Sequence, residues 1–238
     1  MAVVRITEFT DPACPWAYSA EPFRRRLDWL YGEDLVWHVR MVGLSESPEE
    51  YGRKGFTPER LSGAYRRIAH DHGMPIDTAL RPRMTATVPA CRAVVAARRE
   101  APDLMRPLLR RLRVRCFRGE LLDERLANWS GGRRYTCPSY EIERIADGTR
   151  IAVPGFQPFQ VYDVITANLL PGVRRAEPPE SAEEVLRWTG TPLASKEVAV
   201  VRDIPLEDAR EELGRVAEEE HVGADGFWFL PGHHPYGG

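Results

Sequence analysis

The chain has 238 residues, of which 43% are hydrophobic and 29% are charged, and its formal net charge is −2. This composition suits one sizeable folded domain plus a smaller one, and the near-neutral charge excludes a general affinity for polyanions. No apolar run approaches the ~20 residues of a membrane span, and the first residues do not have the pattern of a signal peptide, so we expect a soluble, cytoplasmic protein.

The opening segment predicts a strand, a helix and a second strand. Residues 3–9 are rich in β-branched side chains, which indicates a buried strand. A helix is predicted from Pro15 to about Tyr31, with a kink at Pro22. Residues 35–42 alternate between two faces, as in a second strand, and two strands joined through a helix are expected to be parallel.

The middle of the chain predicts a helical insertion followed by a hairpin and a helix. Residues 46–128 are arginine-rich, with helical patterns divided by glycine and proline, and we expect these arginines to form a solvated face. Asp147-Gly148 between two apolar segments predicts an antiparallel hairpin. A helix should begin near Pro158 and end at Pro171-Gly172, which completes a domain over residues 1–172.

Residues 181–230 predict a small C-terminal module that follows a proline-containing linker. Helical patterns at 182–188, 193–201 and 206–216, with a hairpin through Ala224-Asp225-Gly226, favour a winged-helix-like fold. Residues 181–225 contain twelve acidic and five basic residues, a net charge of about −7. This charge opposes phosphate contacts and argues against nucleic acid as a partner.

Cys14-Pro15-Trp16-Ala17 directly follows the first predicted strand. Pro15 fits the first position of a helix, so Cys14 would lie at the helix N-terminus, where unpaired N–H groups favour a thiolate. In a C-x-x-C motif the second thiol resolves the mixed disulfide, but Ala17 occupies that position here. The alternative is that Cys14 is a small buried residue in an ordinary turn.

The other candidate groups carry weaker signals. Four cysteines in this sequence do not form the framework of a secreted disulfide protein, and Cys91 and Cys116 are predicted to be buried on apolar helix faces. His70-Asp71-His72 contains metal-ligand types, but neighbouring residues of a helix point apart, so no metal site is predicted. His233-His234 lies in a Gly/Pro-rich tail that we expect to be disordered.

The order of these features resembles the DsbA-like family of thioredoxin-fold oxidoreductases, whose relatives include kappa-class glutathione transferases and 2-hydroxychromene-2-carboxylate isomerases. The resemblance covers residues 3–172 and depends on Cys14-Pro15-Trp16, on the helical insertion and on Cys137-Pro138 before the hairpin. It implies an α/β thioredoxin fold, a cis Cys137–Pro138 bond and Cys14 as the nucleophile. It also implies a substrate groove lined by Pro15, Trp16, Thr136, Cys137 and Pro138.

Two departures from the family pattern matter. Ala17 removes the resolving thiol, and the segment 122–134 is short, so an incompletely covered sheet face could favour a homo-oligomer. If the cis-proline loop lies against the helix N-terminus, Cys14 and Cys137 could meet the Cα separation of about 4.4–6.8 Å that a disulfide needs. Alternatively, Cys137 is only a small residue that shapes the groove.

The sequence therefore predicts a thiol-disulfide oxidoreductase with no bound cofactor, acting on a disulfide-containing protein or a small thiol. Cys137 or a low-molecular-weight thiol such as glutathione would resolve the intermediate, and arginines of the insertion could steer an acidic thiol toward Cys14. One alternative is a transferase or isomerase of the kappa or hydroxychromene type, in which glutathione supplies the thiol. The other is a non-catalytic binding protein that uses the acidic C-terminal module for docking.

Overall fold

The computed structural model describes residues 2–119 and 136–232, and it contains a four-stranded sheet. Its strands are β1 (Val4–Thr10), β2 (Leu35–Met41), β3 (Ser139–Arg144) and β4 (Arg150–Pro154). They lie in the order β2-β1-β3-β4, with β1 and β2 parallel and the other neighbours antiparallel. The predicted parallel β-α-β unit and the predicted hairpin are both present, which confirms the α/β thioredoxin fold.

The helix predicted after β1 is divided into α1 (Pro15–Ser19) and α2 (Glu21–Tyr31). The break falls at Ala20, not at Pro22 as predicted, and Pro22 lies in the first turn of α2. A proline there has no helical hydrogen bond to lose, whereas inside a continuous helix its ring would clash with the preceding turn. The chain then passes through a 3-10 turn, Gly32–Asp34, into β2.

The described part of the helical insertion, up to residue 119, contains four helices. Their bounds are α3 (Pro48–Arg53), α4 (Pro58–His72), α5 (Val88–Glu100) and α6 (Pro102–Phe117), of which α5 and α6 pack against each other. α4 ends at Gly73, which adopts a left-handed conformation that glycine reaches at no steric cost. The predicted continuation of the insertion to residue 128 and the short segment 122–134 lie outside the described residues.

Helix α7 (Phe159–Leu169) packs on the sheet and completes the first core. The hairpin between β3 and β4 turns at Asp147 and Gly148, as the sequence predicts, and Gly148 has a φ of 72°. One hydrophobic cluster joins β1, α2, β3 and α7. Its members with the least exposure include Val4, Ile6, Leu27, Ile142, Tyr162 and Leu170.

The C-terminal module contains three helices and three strands. The helices are α8 (Ala182–Thr189), α9 (Ser195–Arg202) and α10 (Leu206–Val216), and the strands are β5 (Leu193–Ala194), β6 (Glu218–Val222) and β7 (Asp225–Phe229). The strands form a second sheet in the order β5-β7-β6. The winged-helix interpretation of this arrangement stays a prediction, as does the division into domains 1–172 and 181–230.

Two predicted boundaries in this module are wrong. The helix predicted from residue 193 begins at Ser195, because Leu193 and Ala194 pair with β7 instead. The predicted turn residues Asp225 and Gly226 belong to β7. The chain reverses direction between β6 and β7 at Gly223 and Ala224, and Gly223 has a φ of 67°. A Cβ atom on Gly223 would lie 2.4 Å from the carbonyl oxygen of Ile76, so the close approach to the insertion requires glycine.

The C-terminal module shares buried groups with the rest of the molecule. Val222 and Phe227 belong to the same hydrophobic cluster as Tyr18 of α1 and Ile76 of the insertion. Among the described residues, no helix combines the length and the apolar character that crossing a membrane would require.

Candidate functional site

Cys14 is the N-terminal capping residue of α1, as predicted, and Pro15 occupies the first helical turn. The thiol is buried, with 3% of the residue exposed, and its Sγ donates a hydrogen bond to the carbonyl oxygen of Cys137 at 3.4 Å. The sequence folds this way locally because proline is favoured at the start of a helix and cannot donate the backbone bond that a longer strand would need. Cys14 therefore lies at the junction of α1 and the loop before β3.

The peptide bond between Cys137 and Pro138 is cis, which confirms the prediction for this bond. Cys137 is half-buried, and both Cys14 and Cys137 are free thiols. The pKa of the Cys137 thiol is raised well above its ordinary value, first by its side-chain hydrogen bond with Cys14 and then by burial. The two sulfur-bearing side chains are thus direct neighbours, and the raised pKa keeps the Cys137 thiol protonated near neutral pH.

Asp11 anchors the loop between β1 and Cys14. It is fully buried, and its Oδ1 accepts a hydrogen bond from Ala13 N at 2.8 Å. Its Oδ2 accepts from Leu44 N at 2.8 Å, from Thr87 Oγ1 at 2.6 Å and from Cys91 Sγ at 3.3 Å. One carboxylate therefore ties the cysteine loop to the insertion, a role that our sequence reasoning missed although Asp11 belongs to the Asp-Pro-x-Cys motif.

Cys91 and Cys116 are buried, as predicted, and each has a polar neighbour that the sequence did not indicate. Burial raises the pKa of the Cys91 thiol, and the charge of Asp11 raises it further. Burial also raises the pKa of Cys116, whose carbonyl oxygen accepts a hydrogen bond from Arg81 at 2.5 Å. Both thiols are thus held in the neutral form.

A cavity of about 370 Å³ opens beside Cys14 between α1 and the insertion. Pro15, Trp16, Thr136 and Cys137 line it together with Cys14, so the structure brings five of the six predicted site residues together. Pro138 is not among the lining residues. Most of the wall is apolar and is formed by Leu44 and by five residues of the insertion: Phe56, Leu61, Ala64, Ile68 and Met84.

The polar groups of this cavity also come mainly from the insertion, and sequence reasoning did not single them out. Lys54 donates to the carbonyl oxygen of Leu44 at 3.1 Å, and Arg81 lies over the Tyr65 ring at 5.1 Å. Burial raises the pKa of the Tyr51 phenol above its ordinary range. These residues come from separate turns and helices, so only the folded chain brings them together.

Trp16 lies at the rim of the cavity and contacts two other rings. It is 41% exposed, its ring meets His72 edge-on with centroids 5.0 Å apart, and it packs on Phe156 at 5.8 Å. Burial lowers the pKa of His72, so this ring is neutral near pH 7. Within residues 2–119 and 136–232, no group of three or more metal-ligating side chains occurs, and His233-His234 lies outside the described residues.

A buried ionic layer lies beneath α1 and α2, where we expected solvated arginines. Arg113 is only 1% exposed and donates to Glu8 at 2.7 Å, to Glu21 and to Thr10. Burial alone would raise the pKa of Glu21, but Arg113, Arg24 and Arg110 hold it below its usual range. The expectation of a solvated face is wrong for Arg113, because two acids on β1 and α2 supply buried partners.

Comparison with known proteins gives distant likenesses only. No family model matches the chain. It is 24% identical to the ClpXP adapter protein SpxH of Halalkalibacterium halodurans, over 92% of this chain and 84% of that protein. Cytosolic disulfide reductase DsbM from Pseudomonas aeruginosa, solved with GSH, is 22% identical with a TM-score of 0.37, over 48% of this chain and 55% of that one. The chain therefore spans little more than half the length of DsbM.

A further solved structure, the probable DsbA oxidoreductase SCO1869 from Streptomyces coelicolor, is 16% identical with a TM-score of 0.48 and covers 74% of this chain and 100% of its own. These likenesses are too distant to identify the fold, so we assign it from the chain's own geometry. Its sheet order β2-β1-β3-β4, its helical insertion between β2 and β3 and its cis-proline before β3 are the topology of a thioredoxin fold with a helical insertion.

Proposed function

We propose that the chain catalyses thiol-disulfide exchange, with Cys14 as the attacking thiol. One observation carries this proposal: the Cys14 thiol, at the N-terminus of α1, contacts the backbone of Cys137 beside the cis-proline and lines an open cavity. A helix N-terminus favours the thiolate that attacks a disulfide, and the cavity gives a disulfide access to it. Cys91 and Cys116 have no such access.

The proposed reaction has two steps. The Cys14 thiolate attacks one sulfur of a substrate disulfide, forms a mixed disulfide and releases the other half of the substrate as a thiolate. The Cys137 thiolate then attacks Sγ of Cys14, releases the second half and leaves a Cys14–Cys137 disulfide. Two electrons pass from the cysteine pair to the substrate, and a low-molecular-weight thiol such as glutathione would reduce the pair again.

The electrostatics of Cys137 support this order of events. Its hydrogen bond with Cys14 is the largest cause of its raised pKa. When Cys14 enters a mixed disulfide that cause is removed, although burial and the charge of Asp11 still oppose ionisation. Cys137 is therefore a poor competitor for the first attack and becomes a better nucleophile once Cys14 has reacted.

The cavity favours a small disulfide or thiol as the substrate class. Its volume of about 370 Å³ falls within the ~300–1,000 Å³ of ordinary small-molecule sites. Its walls are largely apolar, and Lys54, Arg81 and Arg83 supply cationic groups, of which Lys54 is ion-paired with Glu50. A low-molecular-weight thiol with an acidic end would satisfy both features. A cytoplasmic location stays part of this proposal.

Controlled oxidation tests the proposal directly. We expect mild oxidation of the wild type to yield a peptide pair joined through Cys14 and Cys137, about 2 Da lighter than the two reduced peptides because two thiols lose their hydrogens. Its rate should increase with pH above neutrality, since the pKa of Cys137 is raised. Cys14→Ser should abolish both the crosslink and disulfide-reductase activity, while Cys91→Ser should retain both. Activity that survives Cys14→Ser would refute the proposal.

A binding role is the second candidate function. It is favoured by the similarity to an adapter protein along 92% of this chain, combined with Ala17 in place of a second motif cysteine. The non-catalytic interpretation predicts no turnover of any small disulfide, even where Cys14 reacts stoichiometrically. A steady-state assay with glutathione disulfide and a regenerating reductant therefore separates the two functions.

A further inference from the structure

A second cavity, of about 360 Å³, lies where α2, α6 and the C-terminal module meet. Five of its lining residues are arginines: Arg24 and Arg25 of α2, and Arg106, Arg110 and Arg111 of α6. It shares no lining residue with the cavity beside Cys14. The proposed thiol chemistry therefore makes no use of it.

The acids near this cavity are already paired. Glu21 is bound by Arg113, and Asp28 accepts from Arg106 at 3.0 Å and from Trp37 Nε1. Glu197 accepts from Arg25 and Arg110, at 2.6 and 2.5 Å. With Glu8 and Arg113 included, this group contains six arginines and four acids, which leaves a formal surplus of two positive charges.

Several guanidinium donors in this group lack acceptors. Among the described residues, Arg111 is exposed and has neither a hydrogen bond nor an ion pair. Arg110 Nη1 and Arg106 Nε are buried without a hydrogen-bond partner, and a carboxylate oxygen of Glu21 lies 3.6 Å from Arg110 Nη1. The ion pair between Arg24 and Glu8 is long, at 4.0 Å. Buried donors without acceptors are costly, so an added anion would stabilise this arrangement.

We propose that this cavity binds a small molecule that carries a phosphate group. A phosphate dianion matches the surplus of two positive charges, and its several oxygens suit guanidinium groups that converge from two helices. The cavity is larger than phosphate alone, and part of its wall is apolar, formed by Pro107, Val114 and Phe227. The ligand therefore has an apolar part in addition to its phosphate.

The location of the cavity gives the ligand a second effect. Its walls come from α2, from the insertion and from Thr189, Thr191 and Pro192 of the C-terminal module. A ligand that touches all three parts binds only the assembled molecule, so it should raise the unfolding temperature of the full chain.

Calorimetric titration of the full chain with phenyl phosphate tests this proposal, because this probe combines a phosphate with an aromatic ring. We expect saturable binding to the wild type, weaker binding of inorganic phosphate and no binding of phenol. Arg111→Ala should weaken phenyl phosphate binding about tenfold, since one hydrogen bond to a charged group is lost. Arg66→Ala, at an exposed arginine of α4 outside the cavity, is the matched control and should bind as the wild type does.

Two further measurements make the result decisive. Alkylation of Cys14 should leave phenyl phosphate binding unchanged, which separates this site from the thiol cavity and from the proposed function. Phenyl phosphate should raise the unfolding temperature of the wild type more than that of Arg111→Ala. The absence of saturable binding, equal weakening by Arg66→Ala, or equal binding of phenol would each overturn the proposal.

Discussion

Cys14 and Cys91 are buried almost equally, with 3% and 5% exposed, yet their surroundings differ. Cys14 begins a helix, donates to a carbonyl oxygen and lines a cavity. Cys91 lies inside α5 and donates to the carboxylate of Asp11, whose charge opposes ionisation of the thiol. The exposed fraction of a cysteine therefore does not identify a nucleophile, whereas the charge beside it and the route to solvent do.

The largest effect that we expect is a difference in alkylation rate between these two thiols. At neutral pH, iodoacetamide should modify Cys14 while Cys91 stays unmodified in the native protein, because burial and Asp11 raise the pKa of Cys91. Peptide mass spectrometry after timed quenching measures both rates in one sample. Denatured protein, in which both thiols should react alike, is the control.

Equal alkylation rates of Cys91 and Cys14 in the native state would contradict the expected difference between the two thiols. In that case Cys14 would have no special reactivity, and the binding role would be preferred.

Ala17→Cys sharpens the comparison by giving Cys14 a second partner one helical turn away. Ala17 is 1% exposed, so the new thiol would lie beneath Cys14 and out of solvent. We expect higher insulin-reduction activity in the presence of dithiothreitol, because a C-x-x-C pair resolves mixed disulfides without an external thiol. Ala17→Ser adds a side chain of similar size without sulfur and should stay at the wild-type rate.

If Ala17→Cys and Ala17→Ser show the same rate, the missing thiol does not limit turnover. Adding Cys14→Ser to Ala17→Cys should remove the gain in activity, because the attacking thiolate is then lost.

Asp11→Asn should produce the smallest effect of the three, on both stability and Cys91. An amide has one acceptor oxygen where the carboxylate has two, so some of the four bonds to Asp11 are lost and unfolding becomes easier by roughly 2 kcal/mol. Cys91 should also alkylate faster than in the wild type, because the charge that raises its pKa is gone, although burial still protects it. Chemical denaturation and timed alkylation measure these two changes.

Asp71→Asn is the matched control for Asp11→Asn, since Asp71 is exposed and, among the described residues, its side chain forms a hydrogen bond only with His70. It should leave both stability and Cys91 unchanged. An equal loss of stability in the two variants would contradict the anchoring role of Asp11.

Local patterns predicted the elements that position Cys14. These elements depend on interactions between residues that are close in the sequence, so local patterns predict them. They are the apolar strand β1, the proline after Cys14 and the Asp147-Gly148 turn. The position of Cys14 at a helix start and the cis bond at Pro138 followed from these patterns and from the family resemblance. The position of the break in the first helix did not follow from these patterns, because the local sequence allows a break at either Ala20 or Pro22.

Long-range pairing explains what the sequence did not indicate. Asp11 bonds to Thr87 and Cys91, which are 76 and 80 positions away, so no local window contains the interaction. The local sequence does not distinguish Arg113 from the exposed arginines of α6. Its charge is stabilised in the interior by Glu8 of β1 and Glu21 of α2, which only the folded chain brings next to it. Both cavities depend on segments that meet only in the folded chain.

Glu197 has a consequence for the integrity of the molecule. This fully buried carboxylate of α9 bonds to Arg25 from α2 and Arg110 from α6, so its charge is balanced only across the boundary between the first domain and the C-terminal module. Pulling the two apart would leave the Glu197 carboxylate and the Arg25 guanidinium without their ion-pair partners. A protease cut in the segment 174–180 would therefore give two fragments that stay together and behave as one particle, held by contacts that the intact backbone does not supply.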